Sequence, residues 1–373
     1  MQIFNYLFIN PSAAFCIITV FAIMFLLQFI KVDTQKAYLW RLIISFIPLF
    51  VFAAFRVDFG YDYESYQDTF DIVHAFPGQY EDMRQEWGYL KLNEMLPSFR
   101  MLLVVTTAFT CSAYIFLFYR LIPANYTWLA VILLFLAGDK AIFFMFSGIR
   151  NAISISILIF TLPLLEKRRL LPFLLCMFIA AQFHKTAYVY FPMAYLVSSN
   201  KDFTLREFVA WGAVFAFFFV FSNTAIMTQV DVIVTTVFDD GRYDTYVETM
   251  QELGDVRGTL GKFAMVATFI PAVIYMRSST FSSKYNVALR LGLMYIMATA
   301  MGALNARTTQ HFIMFFIVLG VYIAGDKNAN NIYRLYYLLF VVAYLAYAFF
   351  KIFCGAPTFP YEIYESSIFG VIK

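Results

Sequence analysis

Charge is scarce in this chain. Only 14% of its residues are Asp, Glu, Lys or Arg, where a soluble domain carries about a quarter. Histidine is rarer still, with 3 among 373 residues. The 4 cysteines, Cys16, Cys111, Cys176 and Cys354, are scattered. The first three lie in apolar segments and read as small core hydrophobes, and no Cys/His spacing suits zinc. No basic run suggests nucleic acid. P-loop, G-x-G-x-x-G and G-x-S-x-G patterns are missing, so nucleotide-driven transport and serine hydrolysis lack support. The N-terminus has neither a basic n-region nor a small-residue cleavage site, and no cleaved signal peptide is expected. No internal repeat is visible.

What fills the chain is apolar surface: 62% of residues are hydrophobic, 20% are aromatic, and the mean hydropathy is +0.71. Lipid is the solvent that tolerates such a composition, and the many Phe and Tyr suit lipid-facing helices with interfacial anchors. A membrane crossing takes about 20 apolar residues. Candidate spans run over 12–30, 38–55, 100–119, 123–138, 148–165, 170–183, 185–198, 207–224, 261–276, 286–303, 308–323 and 333–350. The expected fold is an all-α, polytopic integral membrane protein of about twelve transmembrane helices. Residues 1–373 form one membrane domain in this reading. Polar segments interrupt it at 56–99, 225–260 and 351–373.

Orientation follows from the short loops. Lys31, Lys36, Lys167, Arg168, Arg169, Lys201, Arg206, Arg277, Lys284 and Lys327 fall on one side of twelve alternating spans. The positive-inside rule makes that side cytoplasmic. Both termini and all three long polar segments then face outward. Arg56, Asp58, Asp62, Arg150, His184, Arg242, Arg257, Arg307 and His311 come out near the outer boundary, far apart in sequence but at one depth. Ionisable groups in a membrane are costly unless paired or facing a cavity, so this gathering suggests a site.

Arg150 opens a span in FSGIRNAISIS, with Ser147, Asn151 and Ser154 at helical spacings. Its planar fork suits a phosphate; the plainer alternative is a snorkelling or paired arginine. His184 in AAQFHKTAYVYF can accept a proton near neutral pH, and Lys185 beside it can hold a phosphate. The plainer alternative is an interfacial histidine bonded to backbone. Arg307 and His311, four apart in NARTTQHFIMFF, share a helix face. The acidic, aromatic stretch RVDFGYDYESYQDTF, with Arg56, Asp58, Asp62, Tyr63 and Tyr66, and then Glu86 and Trp87, offers rings and carboxylates to a sugar. DDGRYDTY adds Arg242 for a phosphate and Asp239 and Asp240 for hydroxyls. No acidic spacing is diagnostic of a metal, and no cofactor is expected.

These same pieces, with EWGYLKLNEML, GIRNAISISILIFTLPLLEKRR and FPYEIY, occur in an order that resembles the EpsG/Wzy-type polysaccharide polymerases of bacterial inner membranes. The resemblance covers most of the chain. It implies a GT-C-like helical glycosyltransferase that joins undecaprenyl-diphosphate-linked repeat units at the periplasmic face, for an O-antigen, capsule or exopolysaccharide. It also admits a chain-length regulator as a partner. On this basis His184 is the first choice for the base, with Asp58 or Asp62 second. Arg150, Arg307, Arg242 and Lys185 would hold the diphosphate. Arg56, Tyr63, Tyr66, Glu86, Trp87 and His311 would line the sugar subsite. Rival readings are a flippase of the same lipids, an O-antigen ligase, or a membrane acyltransferase. A transporter would carry mid-membrane ionisable sites and repeat symmetry, whereas these charges sit toward one boundary.

Overall fold

A computed structural model describes residues 11–58, 60, 62–80, 83, 85–137, 141–142, 144–198, 202–221, 258–278, 283–301, 309–326 and 331–354. Among these residues all regular structure is helical. The α-helices are α1 (Pro11–Leu27), α2 (Gln35–Ala54), α3 (Tyr63–Ala75), α4 (Trp87–Met95), α5 (Phe99–Leu121), α6 (Thr127–Leu136), α7 (Phe144–Ser147) and α8 (Ile149–Glu166). They continue with α9 (Leu170–Ala181), α10 (Tyr190–Val197), α11 (Leu205–Phe221), α12 (Gly258–Ser278), α13 (Ser283–Met301), α14 (Ile313–Gly325) and α15 (Asn331–Cys354).

Every apolar segment marked in the sequence carries a helix. Among the described residues three of these helices, α2, α5 and α8, are long and apolar enough to cross a membrane. Several others, including α6, α9 and α14, are apolar but shorter. Hydropathy alone pointed to about twelve crossings; helix length is the stricter test, because a hydrocarbon core of about 30 Å takes some 20 helical residues.

α2 shows how one helix meets two solvents. Tyr38, Leu42, Ser45, Phe46, Leu49 and Phe52 are buried against the protein. Trp40, Ile44, Ile47 and Val51 recur at helical spacing on the other side, and each is at least 40% exposed. A run of large apolar side chains on an outer surface is a liability in water and the expected face toward lipid. Thr34 starts α2 by accepting the Ala37 amide at 3.1 Å, and Ser98 starts α5 by accepting that of Met101 at 3.2 Å; each cap contributes about 1 kcal/mol. Pro48 lies inside α2, Pro163 inside α8 and Pro271 inside α12, as membrane helices tolerate.

The chain divides into two compact units. The first comprises Met1–Thr161, Leu171–Tyr188 and Leu345–Lys373; the second comprises Leu162–Leu170 and Val189–Tyr344. In the first, α2 packs against α1 and α5, and α3 packs against α4. In the second, α13 packs against α14, α12 and α11.

Within the polar stretch 56–99 the described residues form two helices, α3 and α4, and the start of α5. Tyr63, Tyr66, Phe70 and Val73 form the buried stripe of α3, spaced as an amphipathic helix requires. With Tyr89, Leu102, Leu103, Ile149 and Ile153 these aromatic side chains form one core cluster. That cluster fixes α3 and α4 over the ends of α5 and α8.

Candidate functional site

Where α2 stops and α5 and α8 begin, the first unit concentrates cations. Arg56 follows the last turn of α2 and is 1% exposed. Its guanidinium donates to the carbonyls of Ala53 and Phe146 and lies 5.5 Å from the centre of the Phe146 ring. Burial lowers its pKa to about 10, which still leaves it charged at neutral pH. Arg100, in the first turn of α5, donates to the carbonyls of Ala54 at 3.1 Å and Arg56 at 2.7 Å. Two guanidinium groups thus sit at the negative end of the α2 dipole.

The turn after Arg56 is tightly drawn. Asp58 is exposed and adopts a positive φ of 47°, a conformation Asp tolerates better than most residues. Gly60 has φ +114°, and a Cβ there would stand 2.7 Å from the Phe146 carbonyl oxygen. The half-buried Asp62 then precedes α3.

Arg150, in the first turn of α8, reaches 64 residues back in sequence to Glu86, with 2.5 Å between nitrogen and oxygen. The two side chains are 17% and 7% exposed. The guanidinium also lies 5.9 Å from the Tyr89 ring centre, and the Tyr66 hydroxyl donates to the Ser147 carbonyl at 3.2 Å. The other oxygen of Glu86 accepts the backbone amide of Lys185 at 3.2 Å. One carboxylate thereby joins α4, α8 and the turn after α9. Gly88 completes the junction: its amide donates to the Gln182 carbonyl at 2.9 Å, and a Cβ there would stand 2.8 Å from that oxygen. The Nε atoms of Arg56 and Arg150 are buried and have no hydrogen-bond partner among the described residues.

His184 sits at the same junction, half-buried. Its backbone amide donates to Ala180 at 3.1 Å and its carbonyl accepts from Ala187 at 3.0 Å. Its ring Nδ1 lies 2.9 Å from the Thr186 hydroxyl and accepts the Thr186 amide at 3.3 Å.

The structure thus brings Arg56, Asp58, Asp62, Glu86, Arg150, His184 and Lys185 to one end of one unit. It packs some of the expected sugar ligands differently. Tyr63 and Tyr66 are each 5% exposed, with their rings in the core cluster, because they form the inner face of α3. Glu86 is committed to Arg150 and Lys185. Trp87, 62% exposed, is the expected sugar-binding ring that presents a free surface. His311 belongs to the second unit, fully buried and hydrogen-bonded through Nδ1 to the Tyr190 hydroxyl. Arg242 and Arg307, expected to hold diphosphate, lie outside the described residues. Sequence reasoning passed over Arg100 and Thr186. Thr186 carried a signal, since a hydroxyl two residues after a histidine can reach the ring. Among the described residues no three His, Cys, Asp or Glu side chains gather as metal ligands.

Comparison with known proteins adds one match: the family model described as EpsG family aligns with residues 39–363. No curated protein and no solved structure matches the chain.

Proposed function

We infer the function from one premise: the chain belongs to the EpsG family, the family of Wzy-type polysaccharide polymerases. It is a membrane glycosyltransferase that joins undecaprenyl-diphosphate-linked oligosaccharide repeat units at the periplasmic face. A hydroxyl of one lipid-linked repeat unit attacks the anomeric carbon of the glycan carried by another. A glycosidic bond forms, the bond from that carbon to the phosphate oxygen breaks, and the electron pair leaves with the lipid diphosphate. The hydroxyl proton passes to an acceptor on the protein.

The observation that supports this best is the cationic end of the first unit. Arg56, Arg100 and Arg150 stand there with a single buried carboxylate, Glu86, among them. A leaving diphosphate needs donors fixed in advance where its charge develops, and two buried Nε–H groups remain unused. Asp58, Asp62 and His184 are the groups at this end that can take the proton. Arg242 and Arg307 are assigned to the same anion from the sequence alone. By the loop charges, this end faces outward. About twelve crossings, a GT-C-like architecture and both termini on the periplasmic side belong to the same proposal.

Deleting the gene and resolving the surface glycan on a gel tests the assignment. The ladder of lengths should collapse to a single repeat unit, and persistence of long chains would overturn it. A flippase would also use outer-face arginines. Purified protein that moves lipid-linked repeats across vesicles without lengthening them would establish that reading instead.

A further inference from the structure

α8 ends on a residue that its backbone does not favour. The Arg169 amide donates to the Leu164 carbonyl at 2.8 Å, and the Arg168 amide to the Leu165 carbonyl at 2.9 Å. These two nested bonds form a Schellman motif, in which the residue after the helix cap turns left-handed. That residue is Arg168, with φ 55°. Glycine is the usual occupant, because a Cβ in this conformation crowds the following carbonyl oxygen. Among the described residues Asp58 is the other non-glycine residue with positive φ, and aspartate tolerates that region better than arginine does. The reason for an arginine at 168 therefore lies in its side chain and not in its backbone.

Lys167, Arg168 and Arg169 are all exposed, and none of the three side chains has a hydrogen bond or ion pair among the described residues. The α8 dipole favours positive charge at this end. Lys167 and Arg169 already supply that charge without a positive φ, so the dipole does not account for Arg168. The flanking helices say where the turn lies. α8 is long and apolar enough to cross a membrane. α9 starts at Leu170, and along it Leu171, Leu175, Phe178 and Ile179 recur at helical spacing, each more than half exposed. Such an apolar face is a liability in water and suits lipid. A charged turn between two helices of this kind meets the bilayer among its headgroups.

We propose that Lys167, Arg168 and Arg169 bind the phosphate of an anionic phospholipid headgroup, and so hold the end of α8 opposite Arg150 at headgroup depth. The phosphate supplies a counter-charge that the described protein does not. Each arginine presents a planar fork that matches phosphate oxygens. A basic segment beside a span gains on the order of fivefold in affinity for anionic lipid per cation. The site depends on α8 lying in a membrane and not on the polymerase reading.

Full-length protein in neutral detergent micelles, melted with added phosphatidylglycerol or phosphatidylcholine, tests the site. Phosphatidylglycerol should raise the melting temperature further than phosphatidylcholine does, as a ligand of the folded state must. K167Q/R168Q/R169Q should lose that difference, with phosphatidylglycerol bound on the order of a hundredfold more weakly. K31Q/K36Q, which removes two exposed cations near the start of α2, should keep it.

R168G separates side chain from backbone. In neutral micelles it should melt about 1–3 °C above the unaltered protein, because the left-handed strain is gone. It should nonetheless bind phosphatidylglycerol about fivefold more weakly. R168K should match the unaltered protein in both respects. Equal shifts from the two lipids, or R168G binding phosphatidylglycerol as tightly as the unaltered protein, would overturn the proposal. So would K31Q/K36Q losing as much as the triple variant, which would make the attraction a matter of overall charge. The full shift from inorganic phosphate alone would make the turn an ion site without lipid. A changed oligomeric state in the triple variant, with its lipid preference intact, would assign the turn to a second copy of the chain. If the gene deletion leaves the glycan ladder intact, the polymerase reading fails and this site stands.

Discussion

Arg150 and Glu86 are held 2.5 Å apart in the first unit; Arg290 and Glu207 are held 2.9 Å apart in the second. Both join an arginine to a carboxylate distant in sequence, and their surroundings differ. Glu207 is anchored to its own helix start: it accepts the Thr204 amide at 2.8 Å, while Thr204 accepts the Glu207 amide at 3.2 Å. This reciprocal box closes the N-terminus of α11. Arg290 is fully buried and lies 5.5 Å from the Phe203 ring centre. That pair staples helix to helix. Glu86 is tied instead to the backbone beside His184. Burial of an ion pair therefore does not by itself mark a site; the groups around it do.

The largest expected effect separates attraction from position. Exchanging the first pair, R150E with E86R, preserves the charge product but moves the cation off the start of α8. Polymer should fall at least about 10²-fold, the scale of removing one preorganised donor, in protein that still folds. Recovery of normal chain length on a glycan gel would make the pair a simple staple. Next comes R290M, which strips Glu207 of its cation. Breaking a buried pair costs about 3–5 kcal/mol, and the quarter-exposed Glu207 side chain, which keeps its Thr204 cap, places this case at the low end of that range, about 3 kcal/mol. Thermal unfolding in detergent should show the loss, with polymer per folded molecule unchanged. A catalytic defect without destabilisation would erase the contrast between the pairs.

G88A should follow. Its methyl group meets the Gln182 carbonyl, and overpacking of this kind costs about 1–3 kcal/mol. If that strain displaces Glu86 from Lys185, polymer yield falls about tenfold, since 1.4 kcal/mol is a factor of ten. Unaltered yield would show that the junction tolerates movement. The smallest effect belongs to T204A, a lost helix cap of about 1 kcal/mol, read as a small drop in melting temperature with normal chain length.

Much of the helical scaffold was legible because apolar runs declare themselves. Each candidate span contains a helix, and the spacing of Trp40, Ile44, Ile47 and Val51 marks a lipid face. The stretch 56–99 was less legible. Its acids and tyrosines read as a loop displaying rings, although Tyr63, Tyr66, Phe70 and Val73 already carried helical spacing. Arg150 and Glu86 were each singled out, yet in separate roles, because one sequence holds no record of which residue 64 positions away will answer a charge.

The bond between Gly88 and Gln182 runs from main chain to main chain, and that has a consequence for how this protein can change over generations. The carbonyl at 182 is supplied by any amino acid, so drift at that position leaves the junction intact. Position 88 has no such latitude, because every alternative brings a carbon atom into the oxygen it faces. A library randomised at both places should return many residues at 182 and essentially one at 88.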